Sequence, residues 1–483
     1  MATEKYGVYA QLVKSLANTP VSTDTNVIFI GACQSGDLNK AQLITSMSDY
    51  AEKLGGAPGD GYNLSEAAVA AFSVAGINQV YMIPVSHSTD FSAADYLGNA
   101  SLFTGVYAIE NLLRENPTTV NILCAPSVTD SSVISALNTI AKKADGHWVS
   151  FMVYDVAENP DQLNASNAIV VDEIVDAKQL AEEHADAVWG HVKTSGGYIV
   201  SGAAVRACLM AVSDANYGVP ARCGGNLAIS GIQGPCYYKS EAAECDSFDA
   251  SASASVAVTL NLEIDDATID YDTNASYSID EITTTSGEIK NPKLVNNSGK
   301  LALEYKTGEA AVTGAVVSFT KTIDRMVVIT ESAATQLSAD GICSYINYGG
   351  GNWRTWGDHT SAFSAGTVSD ERARYDSNIR MLIMLINRFQ LKYRFSVDDP
   401  MTLTMRNDVI QEQNDYLAYL KSIGAVIGDA SCSFKQADNP ADNIALGQFV
   451  WSIESTITPP LKYAQLNVAY SSAGLSVYYQ MAA

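Results

Sequence analysis

The chain is poor in the residue types that usually carry chemistry or bind nucleic acids. Its 483 residues include only five histidines, and its eight cysteines form no Cys-x-x-Cys pair. Basic residues number 29 against 53 acidic ones, and the net charge of −24 argues against a nucleic-acid partner. No apolar run reaches the roughly eighteen residues that cross a bilayer, and no secretory signal follows Met1. We therefore expect neither nucleic-acid binding nor membrane insertion.

What the chain does contain indicates a large packed protein. Hydrophobic residues make up 47% and charged residues 17% of the sequence. Several cysteines, such as Cys124 and Cys208, stand in apolar runs, where free cysteine behaves as a small core residue. This usage predicts synthesis in a reducing cytoplasm. The length predicts about two to four domains. The patterns described next predict a multidomain protein of α+β or α/β class.

Residues 26–235 alternate between strand and helix patterns. Apolar runs rich in Val, Ile, Tyr and Phe predict strands at 26–32, 78–85, 120–125 and 148–156. Amphipathic segments predict helices at 64–75, 103–114, 131–144 and 176–187. Strands that alternate with helices of this length predict an α/β region with a largely parallel sheet.

The composition changes in residues 236–330, which are acidic and rich in Ser and Thr. Alternating patterns there predict a β-rich insert. The cluster Asp265, Asp266, Asp270 and Asp272 lacks the glycine and the closing glutamate of an EF-hand loop, so we predict no metal site.

Residues 331–460 are predicted to form a C-terminal domain. Gly349, Gly350 and Gly351 lack the Gly-Lys-[Ser/Thr] ending of a phosphate loop and predict a tight turn with positive φ. Helices are predicted at 369–394 and 401–423, and strands at 425–434 and 444–457. In the tail, 461–483, the apolar residues Leu466, Val468 and Tyr470 alternate with Gln465, Asn467 and Ala469. This predicts a strand with one apolar face and no partner strand.

No arrangement of residues predicts an active site. His184 and His191 lie near acidic residues, but their spacing does not fit metal ligands on one helix, so a solvated face is expected. His359 follows Asp358, yet no serine or cysteine stands in a nucleophile-elbow context. We therefore predict no catalytic residue and no cofactor.

The helix predicted at 369–394 is basic within an acidic protein, and Arg372, Arg374 and Arg380 stand out in it. Two interpretations are open. The arginines form a docking face for an acidic partner, or they pair with neighbouring carboxylates on an ordinary amphipathic helix.

The order of elements after residue 332 resembles the contractile tail sheath proteins of bacteriophages and of related phage-tail-like particles. The matching elements are Asp340-Gly341-Ile342, the turn Trp356-Gly357-Asp358-His359-Thr360, two helices, a strand, and a proline that leads into a C-terminal arm. Near the N-terminus, Tyr6-Gly7-Val8-Tyr9 and 26–32 are also similar. Trp356-Gly357 is the most specific element of the match, and Thr360 ends this family-type turn. The sequence departs from the family at His359, where a basic residue is usual, and in its acidic insert.

The resemblance implies a structural subunit rather than an enzyme. It implies a discontinuous inner α/β domain built from both chain ends, with protruding α/β and β-rich inserted domains. An N-terminal arm (1–25) with Tyr6, Val8 and Tyr9, and the C-terminal arm (461–483), would add strands to neighbouring subunits. The N-terminal arm fits a strand or a helix.

The resemblance also implies partners and a location. Subunits would form a helical tube around an inner tail tube protein and would meet baseplate and tail terminator proteins. Our own inference is that this inner tube protein is acidic and that the basic helix contacts it, because weak polar contacts suit an interface that must break during contraction. The tube would contract to drive the inner tube through a target cell envelope. The protein would belong to a virion or phage-tail-like particle assembled in the cytoplasm of a bacterial host.

Two other functions fit parts of the sequence. The β-rich insert and the 25 tyrosines suit a cell-surface or carbohydrate-binding module. The strand ends of residues 26–213 would suit an α/β enzyme.

Overall fold

The computed structural model describes residues 25–477 apart from 90–91, 143–147, 165, 246 and, between 249 and 316, everything outside six short strands. Side chains within 239–324 fall outside this description, and so do Tyr6, Val8 and Tyr9. Contacts divide the chain into two compact units, one ending at Asp399 and one beginning at Pro400, and each is described by itself. The division falls inside 331–460, the range that we predicted as one domain.

Nine strands of the first unit precede the insert. In chain order they are β1 Thr25–Ala32, β2 Gln42–Ile44, β3 Val80–Ser86, β4 Val120–Cys124, β5 Phe151–Asp155, β6 Ala185–Val188, β7 His191–Thr194, β8 Ile199–Val200 and β9 Ala228–Ile229. The strands predicted at 26–32, 78–85, 120–125 and 148–156 are confirmed by β1, β3, β4 and β5.

The insert begins and ends with two long paired strands. In chain order its strands are β10 Ile232–Cys245, β11 Ser247–Phe248, β12 Asn261–Ile264, β13 Ser276–Ser278, β14 Glu281–Thr284, β15 Gly287–Lys290, β16 Lys293–Asn297, β17 Lys300–Glu304 and β18 Val317–Met326. β10 and β18 form an antiparallel ladder from Cys236 opposite Met326 to Cys245 opposite Val317. β10 also pairs with β7, and we call these two paired strands the root of the insert.

Two strands after the insert complete the main sheet. β19 Ile342–Asn347 pairs in parallel with β6, and β20 Trp353–Trp356 pairs antiparallel with β19 and β9. The nine-stranded order is β2-β3-β1-β4-β5-β6-β19-β20-β9. Because the chain returns to the same sheet after the insert, residues on both sides of the insert share one unit.

Helices cover both faces of this sheet. In the first unit they are α1 Met47–Leu54, α2 Asn63–Ala68 with a π-helical continuation Val69–Ala75, α3 Ala93–Leu97, α4 Ala108–Glu115, α5 Ser131–Lys142, α6 Val171–Asp176, α7 Gly202–Tyr217, α8 Glu331–Ala339 and α9 Asp376–Tyr393. In the part of the chain that is described, no helix is long and apolar enough to cross a membrane.

The helix predicted at 176–187 is wrong. α6 ends at Asp176, and β6 begins at Ala185 in the middle of the sheet. A central parallel strand is buried on both faces, so its side chains do not alternate between apolar and polar, and a short apolar run of this kind cannot be told from a helix by its period.

Two apolar cores lie on opposite faces of the sheet. Val27 and Phe29 of β1 point into one core, together with residues of α2 and α7. Ile28 and Ile30 point into the other, together with residues of α4 and α5. This three-layer arrangement is a doubly wound α/β fold. β1 lies between β3 and β4, so the strand order reverses there, and a crevice is expected at the carboxyl ends of β1 and β4.

The second unit is a helix on a two-stranded sheet. It contains α10 Leu403–Ser422, β21 Val426–Ser433, α11 Ala441–Ala445 and β22 Ser452–Ile457. β21 and β22 pair antiparallel, and Val409, Leu417 and Leu420 form the buried side of α10. The strand predicted at 444–457 is wrong in its first half, because α11 covers Ala441–Ala445 and β22 begins only at Ser452.

Candidate assembly surfaces

The hairpin between β19 and β20 has a tip made of glycine. Gly349, Gly350 and Gly351 have φ values of +99°, +63° and +77°. No atom lies within 4 Å of the place that a Cβ would take on any of them. At the base of the hairpin the Tyr348 and Trp356 rings meet edge to face with 5.9 Å between their centroids. The predicted turn with positive φ is confirmed.

The Trp-Gly turn that follows is an internal connection of the first unit. Gly357 has φ of +99°, and a Cβ on it would lie 3.1 Å from Cα of Cys343. Thr360 is fully buried, and its hydroxyl donates a hydrogen bond to the carbonyl of Ala373. Backbone conformation and close packing therefore account for Gly357, and a buried hydrogen bond accounts for Thr360.

His359, the departure from the family pattern, is an aromatic packing residue. Its ring stacks on Phe363 with 3.8 Å between the centroids, and Nδ1 lies 2.8 Å from the carbonyl oxygen of Ser338. The side chain is buried, so position 359 presents no charge at the surface.

Arg380, which we predicted as a tube-facing residue, is fully buried, and that prediction is wrong. The predicted helix begins later than expected, with α9 at Asp376, and packs against β4 and β5. Arg380 lies on the inner side of α9, where Nη1 donates to Asp214 at 2.6 and 2.7 Å. A charge in this position cannot meet an external partner.

Arg372 and Arg374 lie in a separate 3₁₀ turn, Glu371–Arg374, and each pairs with a carboxylate beside it. Arg372 binds Asp370, and Nε of Arg374 donates to Glu371 at 2.7 Å. The arginines are therefore locally neutralised, as the second interpretation of this segment expected.

A buried ion-pair network connects β6, α7 and α9, and the sequence analysis missed it. Arg206 lies 2.6 Å from Asp186 and 2.9 Å from Asp376. Arg380 contacts Asp214, and its Nη2 lies 3.4 Å from Oδ1 of Asp376. All five side chains are at most 2% exposed. We call these five residues the ion-pair network.

The ion-pair network holds three carboxylates and two guanidinium groups. Burial raises the pKa of Asp186, and the neighbouring Arg206 acts against that increase. Asp214 also accepts a hydrogen bond of 2.8 Å from Thr25, the first residue of β1.

The sequence contains one indication of this network. Arg206 stands inside the apolar run 203–210, where an arginine must be paired if the run is buried.

The C-terminal segment 461–470 is extended and exposed. Leu466, Val468 and Tyr470 are each 83 to 84% exposed, and the segment forms no ladder with the described strands. On its other side Tyr463 bonds Gln465 at 2.8 Å, and Gln465 bonds Asn467 at 2.6 Å. Alternate residues therefore share a face, with Leu466, Val468 and Tyr470 on one side and Tyr463, Gln465 and Asn467 on the other.

The two-stranded sheet of the second unit has one edge more open than the other. Asn414 of α10 bonds both backbone groups of Cys432, with 2.7 Å to its N–H and 3.5 Å to its carbonyl. These contacts occupy part of the outer edge of β21. Among the described residues, no strand pairs with the outer edge of β22.

A polar cluster at the carboxyl edge of the main sheet corrects two further expectations. His191 is 9% exposed and begins β7, so the expected solvated face is wrong, since the segment before it is a buried strand. Ser127, with φ of +58°, stands in the turn between β4 and α5, a strand-turn-helix context that we had not recognised. Its Oγ lies 3.1 Å from Nε2 of His191.

In the described residues no three side chains are arranged to hold a metal ion.

Comparison with solved structures assigns the fold to a class. The sheath of an extracellular contractile injection system, PVC, in the contracted state covers 98% of this chain and 99% of its own, with a TM-score of 0.57 and 14% identity. The contracted helical sheath of the anti-feeding prophage covers 97% of this chain and 100% of its own, with a TM-score of 0.55 and 14% identity. The fold is that of contractile sheath proteins.

One relative found by sequence comparison is also a sheath protein. The tail sheath protein of Escherichia phage P2 is 25% identical over 129 residues, which are 27% of this chain and 30% of the phage protein. The match thus spans less than a third of the phage protein, and no protein-family model matches the chain. The resemblance to contractile tail sheath proteins that we drew from the sequence is confirmed.

Proposed function

We propose that this chain is the structural subunit of a contractile sheath. Subunits polymerise as a helical tube around an inner tail tube, and the tube contracts to drive the inner tube through a target cell envelope. The observation that carries this proposal is the second unit, where an exposed one-sided segment and a sheet with an open edge occur together. These are the two halves of a strand-addition contact.

The segment 461–470 supplies the donor half. Its backbone groups have no ladder partner among the described strands, and its apolar face is exposed. Burying a side chain such as Leu466, Val468 or Tyr470 contributes roughly 1.5–3 kcal/mol each, and a new ladder adds backbone hydrogen bonds. Burial against a neighbouring subunit gives this face a function that the isolated chain lacks.

The outer edge of β22 is the acceptor that we favour. Asn414 obstructs part of the β21 edge, whereas along β22 the residues Ile453 and Ile457 alternate with the exposed Glu454 and Thr456. A one-sided strand added there would continue the apolar face of the sheet. When each subunit donates its arm to the next one, the contact is head-to-tail and produces an open helical polymer.

The finer layout of the assembly follows the family resemblance. The N-terminal arm with Tyr6, Val8 and Tyr9 would be a second donor, the two chain ends would build the inner domain, and the acidic insert would protrude. The partners would be the inner tube protein, baseplate proteins and a tail terminator, in a virion or phage-tail-like particle assembled in a bacterial cytoplasm. The burial of Arg380 and the local pairing of Arg372 and Arg374 remove our reason for locating the tube contact at these three residues.

Electron microscopy of the purified protein tests the proposal. We expect hollow helical tubes in negative stain from the full chain. A chain truncated after Pro460 should give a folded monomer without tubes, because it lacks the donor strand. Tubes of normal length from the truncated chain would contradict the arm contact, and a full chain that stays monomeric under all assembly conditions would contradict the proposal itself.

A further inference from the structure

The crevice at the carboxyl ends of β1 and β4 is closed by the protein's own polar side chains. Asn63 of α2 accepts a hydrogen bond of 2.7 Å from the Ala32 N–H and donates one of 2.9 Å to the Pro126 carbonyl. In a doubly wound sheet this crevice is where ligands usually bind. Beside Asn63 the space is occupied by a chain of four hydrogen-bonded side chains.

The four residues come from four different places in the chain. Glu66 lies on α2, Ser127 follows β4, Glu158 follows β5, and His191 begins β7. Ser127 Oγ donates to Glu66 Oε2 at 2.5 Å and lies 3.1 Å from His191 Nε2. His191 Nδ1 lies 2.9 Å from Glu158 Oε1. We call Glu66, Ser127, His191 and Glu158 the carboxyl-edge relay.

The arrangement of Ser127, His191 and Glu158 has the connectivity of a catalytic triad, but the hydrogen bonds argue against a nucleophile. An ionised Glu66 can only accept, so the single hydroxyl hydrogen of Ser127 is then directed to Glu66, and Oγ must accept from His191. An imidazole that also donates to Glu158 then carries protons on both nitrogens and cannot act as a base. The Val128 N–H, a usual oxyanion donor, already bonds the Ala125 carbonyl at 3.3 Å.

The relay reaches the root of the insert. Tyr238 of β10 donates its backbone N–H to Glu158 Oε2 at 3.0 Å, and its ring meets the His191 ring edge to face at 5.6 Å. His191 is also the ladder partner of Cys236 in β10. A protonated His191 therefore connects both strands of the root to the sheet edge through Glu158 and Ser127.

We propose that the carboxyl-edge relay is a pH-sensitive latch, which holds the root of the insert, β7 and β10, on the sheet while His191 is protonated and loosens when that proton is lost. With a neutral His191 and an ionised Glu66, the Ser127 hydrogen can serve only one of its two neighbours, and one contact of the latch is lost. The latch is a property of the folded monomer and does not depend on sheath assembly.

The charges around His191 set the direction of the pH effect. Burial lowers the pKa of His191, but the facing carboxylates Glu158, Asp155 and Glu66 outweigh it and raise that pKa to about 9. Burial raises the pKa of Glu66 to about 7, against the effect of His191. Because the folded pKa of His191 lies above its ordinary value of 6.5, its stabilising effect is complete below that value. It is lost as the pH rises through about 9.

Nuclear magnetic resonance of ¹⁵N-labelled histidine tests the protonation state. With five histidines, the His191 signal can be identified as the one that His191→Gln removes. If that variant does not fold, the signal is identified by its shift in Ser127→Gly, which removes the hydroxyl and tolerates the positive φ. We expect two protonated ring nitrogens at pH 7.5 and a titration near pH 9. A single protonated nitrogen at pH 7.5, or a titration near pH 6.5, would overturn the proposal.

Hydrogen exchange of the root tests the mechanical consequence. We correct the exchange rate of the Tyr238 amide for its intrinsic pH dependence and expect its protection to fall about tenfold or more between pH 8 and pH 10. The reason is that His191 loses its proton, and with it a contact of the latch, in this pH range. Glu158→Gln should show low protection at both pH values, and the exposed His87→Gln should behave like the natural chain. Unchanged protection, or labelling of Ser127 by a fluorophosphonate at pH 7.5, would refute the latch.

Discussion

The two units of the chain differ in which side chains they bury: the first buries charged groups, and the second exposes apolar ones. In the first unit even arginines are buried, and Arg206 and Arg380 find their partners inside the same chain. In the second unit Leu461, Leu466 and Tyr470 are more than four-fifths exposed. In the monomer, the buried charges of the first unit are paired within the chain, whereas an apolar face of the second unit remains exposed to water. If the arm acts as we propose, this difference separates residues that stabilise the fold from residues that serve contacts between chains.

Breaking the ion-pair network should have the largest effect on folding. Arg380→Ala leaves Asp214 and Asp376 buried without that partner, and the loss of one member of a buried pair costs about 3–5 kcal/mol in free energy of unfolding. Chemical denaturation of the chain truncated after Pro460, which lacks the arm, measures this without interference from assembly.

Two controls sharpen this first prediction. Arg372→Ala removes an exposed pair with Asp370 and should cost no more than about 1 kcal/mol. Arg380→Met combined with Asp214→Leu removes both charges and should lose less stability than Arg380→Ala alone, since no unpaired carboxylate of that pair remains. Similar losses for Arg380→Ala and Arg372→Ala would show that the network does not stabilise the first unit.

A smaller effect is expected at the Trp-Gly turn, and Gly349 at the hairpin tip provides a matched comparison for Gly357. Gly357 and Gly349 both have φ of +99°, but a Cβ would meet Cys343 at 3.1 Å only at Gly357. Each alanine should cost about 1–3 kcal/mol because of backbone strain. Gly357→Ala should lower the free energy of unfolding more than Gly349→Ala does, because only the Cβ at 357 would contact Cys343. Chemical denaturation of both variants measures this difference. Equal losses would show that the turn needs glycine for its conformation alone.

The sequence predicted the sheet better than it predicted the charges. Strands β1, β3, β4 and β5 were found because short buried runs of β-branched and aromatic residues between turn residues are typical of strands. Such runs indicate only the local conformation. They could not predict that β6 pairs with β19, because the whole insert lies between these two strands in the sequence. Only the resemblance to a known family suggested that residues on both sides of the insert belong together.

The functional residues were predictable to different degrees for the same reason. The arm residues Leu466, Val468 and Tyr470 show their alternation within ten residues, so their pattern could be read directly. Asp214, the partner of Arg380 on α7, lies more than 150 positions away, and periodicity says nothing about such contacts. Ser127 and His191 meet at the sheet edge through the fold alone, and neither belongs to a motif that the sequence displays.

The face of the arm gives the sharpest test of the contrast between the units. Leu466→Ser, Val468→Ser and Tyr470→Ser together should leave the free energy of unfolding of the monomer unchanged, because these side chains are already exposed in it. Tube formation should be lost, since the apolar area that strand addition buries is gone.

The opposite face of the same segment provides the control. Gln465→Ser and Asn467→Ser change exposed polar side chains without changing the apolar face, so tubes should form as in the natural chain. Equal loss of tubes from both sets would mean that the segment acts through its backbone or its length, and a destabilised monomer from the apolar set would mean that these residues already pack within the chain. Retained tubes with the apolar set would place the intersubunit contact elsewhere, and the second unit would then lose the property that distinguishes it from the first.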